Sequence, residues 1–124
     1  ALAIAGILLL VAGHFILGLI LSLPGFLAAG FLLGIGSGII FPTFQAMVNN
    51  LAPAHRRGAA NSTLFSGLDL GIGLGMLLTG YLAHSIGLPE TYLIYGGLNL
   101  GALAYFLFIS MKHYKENILL VRGK

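Results

Sequence analysis

One acid stands in the middle of an otherwise apolar stretch. Between Arg56 and His84 the chain reads RRGAANSTLFSGLDLGIGLGMLLTGYLAH, and Asp69 is its single carboxylate. A carboxylate can hold a proton, release it or pair with a cation, and in apolar surroundings each of these depends on whether water reaches it. At 100° per residue, Ser62, Ser66, Asp69, Gly73, Met76 and Gly80 fall within about 80° of one another, a small, partly polar stripe around the acid. Gly67, Gly71 and Gly75 fall on the opposite side as two overlapping G-x-x-x-G steps, a pattern that lets helix backbones approach closely in lipid. Protonation chemistry on one face and close packing on the other is what this stretch offers.

Such a segment needs a helix long enough to carry it across a bilayer. From Gly58 to His84 a helix extends roughly 40 Å at ~1.5 Å per residue, against a hydrocarbon core of ~30 Å. Asp69 then lies close to the midplane, where a charged aspartate costs about 2.5–3.5 kcal/mol on insertion scales. It must therefore face protein or water, or be protonated.

The rest of the chain agrees: 58% of residues are hydrophobic, 7% are charged, and the mean hydropathy is +1.01, outside the range of soluble domains. There is too little polar surface to cover several apolar helices, so lipid must cover them. The sequence predicts an all-α, polytopic transmembrane bundle. Its four transmembrane helices span 1–21, 25–50, 58–84 and 90–111, with a C-terminal tail at 112–124.

The six Lys and Arg residues occur in two places only, Arg56 and Arg57 in the middle and Lys112, Lys115, Arg122 and Lys124 at the end. By the positive-inside rule both places are cytoplasmic. Four crossings put them on one side, as expected of a multi-pass protein of the cell membrane with a cytoplasmic C-terminus. The charge pattern gives no reason to expect nucleic acid as a partner. With no cysteine there is neither a disulfide framework nor a thiolate metal site. Phosphate-loop, serine-nucleophile and His/Cys ligand motifs do not occur, and Gly71-x-Gly73-x-Gly75 lies inside a membrane helix, so no enzyme activity, cofactor or metal is expected. The opening ALAIAG reads as a truncation inside or just before a membrane helix.

The other helices carry a few polar groups. In the second, Gly30, Gly34 and Gly38 share one side that continues through Phe41, Pro42, Gln45 and Asn49. Pro42 is expected to kink the helix, since it cannot donate a backbone hydrogen bond. Gln45 is then either a cavity contact or an interhelical hydrogen bond. His14 is either a neutral imidazole bonded to a neighbouring helix or part of a proton relay. Asn99 shares a face of the fourth helix with Tyr92, Tyr95 and Phe106, and needs a partner. Gly87 reads as a C-cap and Glu90 as a first-turn acid favoured by the helix dipole. Ile118-Leu119-Leu120-Val121, between cations, is expected to lie along the inner leaflet.

Pro53-Ala54-His55-Arg56-Arg57-Gly58-Ala59-Ala60, followed by Ser66-Gly67, Gly71-x-Gly73-x-Gly75 and Gly80, resembles the tenth-to-eleventh helix region of the major facilitator superfamily. The resemblance covers the whole chain and implies helices nine to twelve of a twelve-helix protein about three times this length. Leu68-Asp69-Leu70-Gly71 and the glycine run look most like bacterial drug/proton antiporter-type exporters, although Met76 stands where the related motif has a proline. The family fold implies two six-helix bundles rocking around a central cavity, lined by the second helix here and flanked by the third. Asp69, Gln45, Phe41, Ser66 and Asn49 are then candidates for substrate or proton contact. The expected partners are the bilayer, a small-molecule substrate, protons and the remaining helices of the same chain. Two other classes stay open: a four-helix small multidrug exporter, whose essential acid would sit in a first helix that here holds only His14, and a non-transporting membrane scaffold.

Overall fold

The computed structural model describes residues 2–122, with side chains as far as residue 118. The described chain is helical almost throughout. Helix α1, Leu2–Leu19, is an apolar run broken only by His14 and holds no proline. A three-residue bend follows, and α2, Leu23–Leu51, starts where Ser22 Oγ accepts the Gly25 N–H at 3.3 Å. Pro24 lies in the first turn of α2, where its missing N–H costs nothing. At the far end Ala52 is extended, the conformation favoured before a proline. A 3-10 turn, Ala54–Arg56, leads into α3, Arg57–Ile86.

Between α3 and α4, Leu88–Tyr105, stands a single residue, Gly87, at φ 100°. That left-handed value favours glycine, and a Cβ here would also stand 2.7 Å from Glu90 Oε2. The Gly87 N–H caps Ala83 O at 3.2 Å, while Pro89 and Glu90 occupy the first turn of α4. The helix then passes through a π turn, Phe106–Ser110, into α5, Met111–Arg122. The segment expected as a tail at 112–124 is thus helical to Arg122. The inner-leaflet reading of Ile118–Val121 depends on side chains at 119–121, which lie outside the described residues.

Among the described residues four stretches are long and apolar enough to cross a membrane: Leu2–Leu19, Leu23–Leu51, Ala54–Ile86 and Leu88–Ile118. The fold is the all-helical, four-span bundle that composition demands. Helix α1 packs between α2 and α4. Its Ala3, Ile7 and Val11 form the core with Phe106, surrounded by Phe15, Ile40, Phe44 and Met47. Phe44 meets Phe106 edge-on at 5.5 Å, a favoured aromatic geometry.

The close crossings use glycines other than those picked out by spacing. A Cβ on Gly36 would stand 2.9 Å from Gly6 O, and one on Gly18 would stand 2.9 Å from Pro89 O. By contrast, a Cβ added at Gly30, Gly34, Gly38, Gly67, Gly71 or Gly75 would meet nothing within 4 Å. The reason on α2 is rotational, because its buried side, Gly25, Ala29 and Gly36, is turned toward α1 and the G-x-x-x-G stripe away from it. Helix α3 buries no residue and rests on α2 and α4 by a narrow edge.

Candidate functional site

Helices α2 and α3 meet along a seam marked by an amide hydrogen bond and an aromatic pair. Near its basic end Asn61 Nδ2 donates to Asn49 Oδ1 at 3.0 Å. Further along, Phe41 and Phe65 stack at 5.7 Å with their planes tilted by 53°. Gln45 lies half-buried on α2, one turn from each of Phe41 and Asn49. Of the residues expected here, Phe41, Gln45 and Asn49 thus share the seam side of α2. Helix α2 continues unbroken through Pro42. The ring leaves Gly38 O without its usual N–H donor, on a glycine that is itself exposed.

Asp69 sits one turn beyond Phe65 and is exposed, as is Ser66. On the helical wheel Asp69 lies about 80° round from the line through Asn61 and Thr79, which marks the contact edge of α3. The acid stripe is therefore on the open flank next to the seam, and Gly67 and Gly71 are on the opposite flank. Among the described residues Asn61 Oδ1 is buried without a hydrogen-bond partner, which costs about 1–3 kcal/mol.

A second polar set crosses the bundle interior. His14 Nδ1 lies 2.8 Å from Leu10 O. A carbonyl can only accept, so a hydrogen bond here needs a proton on Nδ1. Asn99 Nδ2 lies 3.3 Å from the same nitrogen and donates to Tyr95 O at 3.0 Å. The two polar groups left without visible partners in the sequence thus lie against one another, across α1 and α4. Tyr95 extends the set to α3: its hydroxyl donates to Gly75 O at 2.9 Å and lies 2.7 Å from Thr79 Oγ1. Thr79 in turn donates to Gly75 O at 2.7 Å.

The ends of the bundle differ in charge. Adjacent residues Asn49 and Asn50 reach different helices, Asn49 to Asn61 of α3 and Asn50 to Tyr114 of α5, the latter at 3.3 Å. These two bonds bring Arg56 and Arg57, at the start of α3, and Lys112 and Lys115, on α5, to the same end of α2. All four are exposed. Sequence reasoning passed over Asn50, Asn61, Thr79 and Tyr114. The available signal was the cluster of amides at 49, 50 and 61 flanking the basic loop.

A polytopic helical bundle with a carboxylate at mid-depth and one basic end is the architecture of an integral membrane protein. The family model described as Major Facilitator Superfamily matches residues 1–123, and the chain belongs to that superfamily. An uncharacterised MFS-type transporter of Pseudomonas aeruginosa, PA1993, is 36% identical over 78 residues, covering 63% of this chain and 19% of the relative. The 4-hydroxybenzoate transporter of Acinetobacter baylyi is 28% identical over 94 residues, 76% of this chain and 20% of the relative. A chloroplastic sodium-dependent phosphate transport protein of Arabidopsis thaliana is 28% identical, covering 63% of this chain and 15% of the relative. The chain thus spans a fifth or less of the length of these curated relatives. No solved structure matches it.

Proposed function

We propose that this chain forms helices nine to twelve of a secondary transporter that moves a small, amphipathic molecule across the cell membrane in exchange for protons. The observation that carries the reading is the α2–α3 seam, where Phe41, Gln45 and Asn49 line one side and Asp69 stands open on the adjoining flank. A carboxylate at mid-depth changes its proton occupancy when water gains or loses access, and rocking of two bundles changes access in that way. The unmet acceptor of Asn61 lowers the cost of parting the seam. In this reading Gly30 and Gly34 of α2 and the open glycine face of α3 are covered by the remaining helices of the same polypeptide, and the basic end is cytoplasmic.

Asp69 carries the coupling proton or, alternatively, serves the conformational change by hydrogen bonding to the opposite bundle. Asp69→Asn in the full-length protein separates the two roles, because asparagine keeps the shape and much of the hydrogen bonding but cannot titrate. Substrate-induced proton release from purified protein vanishes in the variant if Asp69 carries the proton. Unchanged release would overturn the coupling role.

The relatives' names favour a second reading, transport of a small anion. Besides the phosphate and 4-hydroxybenzoate transporters, a probable anion transporter of Oryza sativa and an ascorbate transporter of Arabidopsis thaliana are similar to this chain. Uptake of phosphate, 4-hydroxybenzoate and a lipophilic cationic dye into proteoliposomes distinguishes the substrate classes. Movement of the dye alone supports export of amphipathic molecules, and movement of either anion alone supports this second reading.

A further inference from the structure

We propose that the groove where α5 leaves the bundle is a binding site for one anionic phospholipid. A cavity of about 390 Å³ is lined there by Thr43, Met47, Phe106, Met111, Tyr114 and Lys115, with Leu2 and Ala3 of α1. A neighbouring cavity of about 480 Å³ shares Leu2, Thr43, Met47 and Tyr114 and extends along α2 past Pro42 to Gly38. Together they form an apolar trough beside α2. From Gly38 to Asn50 its length is roughly 18 Å at 1.5 Å per residue, a little more than half of a ~30 Å hydrocarbon core. That is the reach of an acyl chain lying in one leaflet. Gly38 has no side chain to fill the trough.

The trough is polar at one end only. There Lys115 lines it, the Asn50–Tyr114 hydrogen bond closes it, and Lys112 is exposed one turn away on α5. Helix α2 contains no acid, and Glu116 is the only acidic residue between Met111 and Ile118. Two lysines at the depth where the helices leave the apolar layer match the phosphate and anionic headgroup of a lipid whose chain fills the trough. A zwitterionic lipid of the same chain length gains less, since each cation near an anionic headgroup contributes attraction that a neutral headgroup lacks. The inference depends on the membrane location of the chain and is independent of the transported substrate.

The test uses the full-length protein in detergent micelles, titrated with palmitoyl-oleoyl phosphatidylglycerol or the phosphatidylcholine with the same chains, with bound lipid counted by native mass spectrometry. The proposal expects one phosphatidylglycerol per polypeptide, retained in preference to phosphatidylcholine. Lys115→Gln should weaken it about fivefold. Thr43→Phe, which fills the trough and leaves every lysine in place, should reduce retention of both lipids. Equal retention of the two lipids in the wild type overturns the headgroup assignment. An equal loss in Arg57→Gln, outside the trough, overturns the site in favour of diffuse charge attraction. Absence of bound lipid, with the trough occupied by another part of the polypeptide, overturns it outright.

Discussion

The carbonyl oxygen of Gly6 lies 2.9 Å from where the first side-chain carbon of residue 36 would stand. The relationship is mutual, because a Cβ on Gly6 would come within 3.1 Å of Gly36 O. Helices α1 and α2 therefore cross backbone to backbone: a side chain at residue 36 needs a shift of main chain, and one at residue 6 also meets the Ile40 side chain at 2.6 Å.

Gly36→Val should lower the thermal midpoint of the detergent-solubilised protein, at a cost of about 1–3 kcal/mol for overpacking. Gly71→Ala should leave it unchanged so far as the four helices here are concerned, since that position is open. Gly71→Leu in the full-length protein asks what covers the open face. Loss of expression or stability is expected from displacement of a facing helix, and wild-type behaviour would show that lipid alone meets it.

His14 Nδ1 lies 2.8 Å from the acceptor Leu10 O and 3.3 Å from the donor Asn99 Nδ2, and the two contacts call for opposite tautomers. Nitrogen-15 spectra of protein labelled at histidine should show a proton on His14 Nδ1, in keeping with the shorter contact. A proton on Nε2 would mean that Nδ1 accepts from Asn99 instead.

Tyr95→Phe keeps the ring and removes the hydroxyl that bonds Gly75 O and meets Thr79. A loss of about 0.6 kcal/mol, and no more than ~1.7, is expected for an interhelical hydrogen bond in a membrane. Because α3 has no buried residue to hold it, amide exchange along α3 should rise more than along α1. Equal change in both helices would count against a local tie.

By the positive-inside rule the two cation groups are expected on the cytoplasmic side. Single cysteines at Ala54 and Asn117 should be shielded from an impermeant thiol reagent in intact cells, and one at Leu88 should label. Labelling at Ala54 would reverse the assigned topology.

The helices were legible in the sequence because apolar length, proline and glycine act locally. Pro24, Pro53 and Gly87 mark the ends of helices by chemistry that needs no neighbour. The pairing of those helices was less legible. The G-x-x-x-G spacing of Gly30, Gly34 and Gly38 is visible in one dimension, whereas the crossing at Gly36 depends on which side α1 approaches. Likewise His14 and Asn99, 85 residues apart, each stood out as a polar group in an apolar run, but their meeting is a property of the packed bundle. Phe41 and Asn49 lie on the seam because α3 packs against their side of α2, while Asp69 lies off the seam by about 80° of helix rotation.

The π turn at Phe106–Ser110 acts as a phase shift in α4. It holds one residue more than the same rise of α-helix would, and so sets the azimuth of everything after it. Closing it to ordinary α pitch with every residue kept would rotate α5 by about 100°. Tyr114 would then turn away from Asn50 and Lys115 from the trough, although the span would keep its length, hydrophobicity and every charge. Loss of one residue inside the turn would be absorbed by such closure, whereas loss of one residue elsewhere in α4 would leave insertion into the bilayer unaffected while re-aiming the basic helix, a lesion that hydropathy profiles and substitution scans would both miss.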